Sequence, residues 1–199
     1  MNPFGNSTDP YPLFKEWYEL AAAAEPVFPE AVTLATIGLD GRPAARVVLL
    51  RGYDATGLTF FTNSTSDKGQ ELAKTPHASL LFYWRQPISR QIRITGRVQV
   101  AEPAVSDQYF AGRPRDSQIG AWASLQSSPM ASRQLFEDRI AHYTQQFAGQ
   151  AVPRPPHWHG YHLTPDRYEF WQERPARLHD RLLFTHDDTA TWQQQLLYP

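Results

Sequence analysis

Along the first part of the chain, Leu13, Phe14, Trp17, Leu20 and Ala21 recur at helical spacing, which predicts one buried helix face. Asp9-Pro10 suits its start, because Asp can cap and Pro fits a first turn; the helix should end near Glu25-Pro26. The period then changes. Ala31 to Ile37 is a short apolar, Thr-rich run, Asp40-Gly41 is a tight-turn signal, and Arg42 to Arg51 follows, with Val47-Val48-Leu49-Leu50 reading as a strand buried on both faces. Gly52 to Gly57 reads as a turn and Leu58 to Thr62 as a strand. A short helix over Ser64 to Lys74 has Ser66 as its expected cap, and His77 to Trp84 with Gln91 to Val100 form a further strand pair.

Helices are expected over Glu102 to Ala111 and Ala131 to Phe147, the second with Leu135, Ile140, Tyr143 and Phe147 as core positions. Between them Arg113 to Ser128 is mixed, polar first and then apolar around Ile119 to Trp122. Pro153 to Pro156 cannot be helix interior. Strands at Gly160 to Leu163, Tyr168 to Trp171, Leu178 to Phe184 and Trp192 to Leu197 close the chain. Many strands joined by tight turns, with helices between them, predict a mainly β fold: a barrel with peripheral α-helices. With no internal repeat and no break in composition, residues 1–199 read as a single domain, of which residues 1–8 are expected to be flexible.

Composition narrows the function. Lys and Arg number 19 against 20 Asp and Glu, a formal charge of -1, which argues against bulk nucleic-acid binding. The absence of cysteine removes disulfides, thiolate nucleophiles and Cys-based metal sites. Neither a signal peptide nor a membrane span is visible, so a cytoplasmic protein is expected. The phosphate loops of dinucleotide and nucleoside triphosphate enzymes are missing, as is a Ser-centred nucleophile elbow. His157, His159 and His162 cluster after the prolines, but no carboxylate stands at a convincing spacing and no metal is expected.

The cations are grouped. Arg46 and Arg51 bracket an apolar strand, Arg113 and Arg115 share a turn with Ser117, and Arg177 and Arg181 flank His179. Guanidinium forks beside hydroxyls suit a phosphorylated ligand, whereas spacing alone fits surface ion pairs better. Trp171 at a strand end suits either core packing or stacking on a planar cofactor.

From about Asp9 to Pro199 the chain resembles the pyridoxamine 5'-phosphate oxidase family. The resemblance rests on ordered motifs: Arg46-Val-Val-Leu-Leu-Arg51, Phe61-Thr-Asn63, Arg90-Gln91, Arg113 to Trp122, Gln126-Ser127-Ser128, Glu169-Phe-Trp-Gln172, Arg177-Leu-His-Asp-Arg181 and a closing Leu-Tyr-Pro. It implies an FMN-binding split β-barrel and a homodimer with FMN at the subunit interface. The implied reaction takes pyridoxamine or pyridoxine 5'-phosphate to pyridoxal 5'-phosphate, with O2 as acceptor and hydrogen peroxide as product, plus ammonia from the amine. It also implies roles. The strand Arg46, Val47, Val48, Leu49, Leu50, Arg51 lines the FMN site, with Arg46, Lys68, Gln126 and Ser127 on the FMN phosphate. Phe61, Thr62 and Gln91 contact the flavin and its chain, while Trp171 and Arg181 sit against the rings, Arg181 favouring negative charge on the reduced flavin. Arg51, Tyr109, Arg113 and Ser117 hold the substrate phosphate, and the catalytic pair Arg177 and His179 lies over the pyridine ring.

The chain departs from that pattern in several places. Arg51 stands where the family commonly has Lys, Phe61 where a Tyr is expected, and Asp67 where a basic residue is common; an acid pointing inward there would weaken FMN retention. Met1 to Thr8 lacks a basic, Tyr-containing arm, so looser closure over the substrate is expected. Other readings are a phenazine-pathway type oxidase, a non-catalytic pyridoxal phosphate or flavin binder, and a heme- or deazaflavin-binding relative.

Overall fold

The computed structural model describes residues 3–5, 7–24, 27–186 and 191–199. Helix α1 (Pro10–Ala24) is followed by strands β1 (Ala31–Ile37), β2 (Pro43–Leu49), β3 (Gly52–Asp54) and β4 (Gly57–Asn63). Helix α2 (Asp67–Lys74) leads to β5 (His77–Trp84) and β6 (Arg90–Val100). Helices α3 (Pro103–Ala111), α4 (Arg115–Ala123) and α5 (Arg133–Gln146) then precede β7 (Trp158–Gln172), β8 (Asp180–His186) and β9 (Trp192–Leu196). The strands form one antiparallel sheet in the order β2-β1-β5-β6-β7-β4-β3, with β8 on β7 and β9 on β8. The fold is mainly β, a sheet curled into a half-barrel with helices at its periphery. No helix among the described residues is long and apolar enough to cross a membrane.

Strand alternation builds the core. Val32 and Leu34 of β1, Leu80 and Phe82 of β5, and Ile92 and Ile94 of β6 all turn inward and are buried. Helix α1 covers this face: Phe14 and Trp17 are fully buried, with Phe14 5.7 Å from the Phe82 ring and Trp17 5.3 Å from Phe170. The helix end expected near Glu25-Pro26 lies outside the described residues. Before α1, Phe4 is buried and stacks on Trp17, so this part of residues 1–8 belongs to the core; Met1, Asn2 and Asn6 lie outside the described residues.

Several expectations are corrected. The strands expected at Gly160 to Leu163 and Tyr168 to Trp171 are one strand, β7. Thr164-Pro165 looks like a break, but Pro165 pairs with Gly96 and Arg167 with Thr95, so the irregularity is absorbed as a bulge. Gly96 permits it: a Cβ there would lie 2.0 Å from the Thr164 carbonyl oxygen. Gly96→Ala is therefore expected to cost about 2–3 kcal/mol, read as a lowered midpoint in thermal or urea unfolding. Part of the turn expected at Gly52 to Gly57 is strand β3, and the mixed segment after Arg113 contains α4.

Strand β2 is not buried on both faces. It lies at one end of the sheet order, Val47 is 65% exposed, and Val48 and Leu49 are half-buried. Helix α5 has no buried residue within it: Leu135 is exposed, Ile140 and Tyr143 are half-buried, and only Phe147, just past its end, is buried. A second apolar cluster, of Phe110, Ile119, Phe147, Val152 and Trp158, ties α3 and α4 to β7. Leu178 is exposed and follows a 3-10 turn, Pro175–Arg177, so the strand expected from Leu178 begins at Asp180.

Candidate functional site: a cleft with two cationic ends

Between β2, β4, α2, α3 and α4 lies a cavity of about 500 Å³. Its walls include Val47, Val48, Leu49 and Arg51 from the β2 region and Phe61 and Thr62 from β4. Lys68, Tyr109, Arg113, Ser117 and Gln126 complete the residues that the sequence motifs had assigned to ligands and that meet here. A second hollow shares Arg51, Phe61, Tyr109, Arg113 and Ser117, so the cleft continues past this end toward Pro114. Leu50 turns the other way into the core, so its side chain cannot reach the cleft.

At one end stand Lys68, Thr62 and Gln126. Lys68 Nζ donates to Gln126 Oε1 at 2.9 Å and Thr62 Oγ1 donates to the same oxygen at 3.1 Å. No carboxylate comes within ion-pair distance of Lys68 among the described residues. Burial, and next the neighbouring Arg46 charge, pull the Lys68 pKa below its ordinary value. Ser127, at φ 71, accepts the Asp67 backbone N–H at 3.2 Å. Asp67 itself is exposed in the first turn of α2, where an acid suits the helix N-terminus. Arg46 does not line the cavity; it lies behind Lys68, bonded to Glu71 and Thr36.

At the other end Arg113 is the dominant group. Its guanidinium sits 4.9 Å above the Trp158 ring and 5.6 Å from that of Phe110. Its Nη1 is buried with no hydrogen-bond partner, and no acid pairs with it among the described residues. Burial lowers its pKa, with Tyr109 opposing and Arg51 reinforcing that shift. Arg51, by contrast, is paired to Glu30 at 3.3 Å. Between the ends, Phe61 stacks on Tyr109 at 4.1 Å and on Trp158 at 5.1 Å, nearly parallel to both. Gly160 makes room for that ring, since a Cβ there would lie 2.9 Å from Phe61. The Phe in place of a Tyr at position 61 thus completes an aromatic stack.

The remaining motif residues lie elsewhere. Gln91, Trp171 and Arg181 share one face of the sheet through the β6–β7 and β7–β8 pairings. The His179 ring lies 4.6 Å from that of Trp171, and its Nδ1 accepts the Arg174 backbone N–H at 3.3 Å. Arg177 is exposed, at φ 62. None of these lines the cavity. Arg181 donates through Nη2 to Glu169 at 2.6 Å, and Glu169, buried, also receives Arg93.

Sequence reasoning missed Trp158, Glu71 and Glu30. Trp158 stood between histidines weighed only as metal ligands; a lone Trp following a proline run was the available signal. Among the described residues no group of acids and histidines could hold a metal ion.

A half-barrel of this topology, with a cleft that sets Lys68 at one end and Arg113 at the other across an aromatic stack, defines a split-barrel protein. The sequence profile of the family described as "Pyridoxamine 5'-phosphate oxidase" matches residues 21–147, and that of "Pyridoxine 5'-phosphate oxidase C-terminal dimerisation region" matches residues 158–199. The chain belongs to the pyridoxamine 5'-phosphate oxidase family. It is 51% identical to a pyridoxine/pyridoxamine 5'-phosphate oxidase of Myxococcus xanthus, over 96% of this chain and 92% of that one. It is 52% identical to one from Paraburkholderia phymatum, over 100% and 89%. Among solved structures it is similar to PhzG from Burkholderia lata in complex with tetrahydrophenazine-1-carboxylic acid, at a TM-score of 0.90 and 35% identity, covering 99% and 96% of the two chains. An FMN-binding protein from Nostoc punctiforme, 19% identical at a TM-score of 0.74 over 94% and 97%, shares the fold.

Proposed function

We propose that this chain is an FMN-dependent oxidase that converts pyridoxamine or pyridoxine 5'-phosphate to pyridoxal 5'-phosphate, working as a homodimer with FMN at the subunit interface. The observation that carries the reading is Arg113, a half-buried cation at the end of a cleft, with its Nη1 buried and no counter-ion among the described residues. Burying an unpaired charge is unfavourable, and a phosphate in the cleft removes that penalty. Ser117 and Tyr109 add hydroxyls beside it, and Arg51 adds a second cation. The residues at the opposite end fit a second phosphate, that of FMN: Lys68 and Gln126 on the wall, with Ser127 and Arg46 just off it. The exposed Val47, the half-buried Val48 and the Phe61 stack fit the flat ring system between.

The homodimer accounts for the motif residues that lie off the cleft. Trp171, Arg177, His179 and Arg181 all fall within the matched dimerisation region, so a partner subunit presents them, together with Gln91, over the cleft of its mate. FMN, held there, would supply the acceptor for the substrate's two electrons, with O2 as the final acceptor and hydrogen peroxide as the product. The protein's part is binding and orientation. His179 accepts a backbone N–H at Nδ1, so in the neutral ring Nε2 carries the hydrogen and donates toward the substrate ring. Arg177 adds a cation on the same side.

The likeness to PhzG gives a second reading, oxidation of a phenazine precursor. Such a ligand would leave Arg113 without a phosphate partner. Anaerobic mixing of the yellow holoenzyme with pyridoxamine 5'-phosphate separates the two: the visible absorbance of the oxidised flavin should bleach and return with air. A flavin that stays oxidised with both B6 phosphates but bleaches with a dihydrophenazine acid would replace the first reading with the second.

A further inference from the structure

The helix α2 acid Glu71 is buried, away from the cavity wall, in an ion pair with Arg46. Its Oε2 accepts Thr36 Oγ1 at 2.6 Å and Arg46 Nη2 at 2.7 Å. Arg46 Nη1 in turn donates to Thr36 Oγ1, closing a three-membered ring of bonds between β1, β2 and α2. Glu71 is three residues beyond Lys68, hence on the same helix face, where its charge acts on Lys68. Arg46, just off the cavity wall, and Lys68, on it, are thus neighbouring cations at this end of the cleft, with Glu71 bonded to Arg46.

We infer that Glu71 is a positioning residue for the phosphate of the flavin cofactor: its carboxylate fixes Arg46 beside Lys68 and offsets their mutual repulsion, so that both cations face one anion. The inference rests on the proposal that this end of the cleft takes the FMN phosphate. Physical reasoning sets the direction. Like charges brought together in a partly desolvated pocket repel, and a long Arg side chain left on an exposed strand keeps its rotamer freedom. Glu71 removes both penalties before the ligand arrives. Its bonds occupy Nη1 and Nη2 and leave the Nε edge of the guanidinium for an incoming oxygen.

The test compares FMN with riboflavin, which lacks the phosphate, by quenching of flavin fluorescence on titration into the apoprotein. Wild type should hold FMN far more tightly than riboflavin. Glu71→Gln, which keeps size and hydrogen bonding but removes the charge, should reduce that preference about tenfold while leaving riboflavin affinity unchanged. In an Arg46→Ala background the same change should have no further effect, since Glu71 acts through Arg46. A wild type that binds the two flavins equally would remove the FMN-phosphate reading itself, and the inference with it. A preference that Glu71→Gln leaves intact or strengthens would overturn the inference alone, because the carboxylate would then compete with phosphate for Arg46. Should Glu71→Gln not fold, Thr36→Val decides: a weakened preference, by about threefold, supports the ring of bonds, and an unchanged one overturns it.

Discussion

Replacing Arg113 with alanine should raise KM for pyridoxamine 5'-phosphate roughly 30- to 100-fold and leave kcat nearly unchanged. The phosphate is remote from the carbon that reacts, and its contact with Arg113 is present before, during and after the reaction, so its loss is one of uniform binding. The fold should tolerate the change. Arg113 Nη1 has no partner to abandon, and the Trp158 and Phe110 rings beneath it are themselves held in the second apolar cluster. Arg113→Lys should recover part of the affinity, because a point charge remains while the fork is lost. Steady-state kinetics with pyridoxine lacking the phosphate provide the control: wild type and Arg113→Ala should then be equally poor. A large fall in kcat at constant KM would place Arg113 in the chemistry instead.

Assayed at a substrate concentration near the wild-type KM, where each is nearly silent, two variants mixed together should restore activity, to about a quarter of the wild-type level after equal mixing and random subunit exchange. The pair is Arg113→Ala and His179→Ala. Arg113 lines the cleft of its own chain, whereas His179 lies beside Trp171, away from that cleft. If each site takes Arg113 from one subunit and His179 from its mate, a mixed dimer has one site with both changes and one with neither. Mixed dimers make up half the population, which yields the quarter. Variants exchanged by mild denaturation and dilution, then assayed for peroxide release, provide the measurement. Should the mixture remain as inactive as its parents while exchange is verified by mass, both residues act within one chain, and the interface-shared site is wrong.

Much of the fold was legible because its cause is local. The inward rows of β1, β5 and β6 follow from period-two alternation, and the α1 face from period 3.6. The errors have a common origin in partners distant along the chain. Whether Thr164-Pro165 breaks β7 depends on Gly96, which accepts the bulge. Whether Val47 is buried depends on what stands beside an edge strand, and among the described residues Val47 stays exposed. The spacing in α5 marked an apolar stripe but not the depth to which α4 buries it.

The site divides in the same way. Residue types and their order along the chain determined the chemistry on offer: arginines and hydroxyls at 113 and 117, a lysine at 68, and an Arg-Leu-His segment at 177. Only the tertiary structure decided which of these cations are already satisfied. Arg46 is held by Glu71 and Arg51 by Glu30, 25 and 21 residues away, and Arg181 by Glu169 across neighbouring strands. Arg113 ends on two aromatic faces, with no acid beside it among the described residues. A charge seeks a ligand when burial strips its water and no counter-ion replaces it, and both conditions are set by groups the fold brings from elsewhere in the chain.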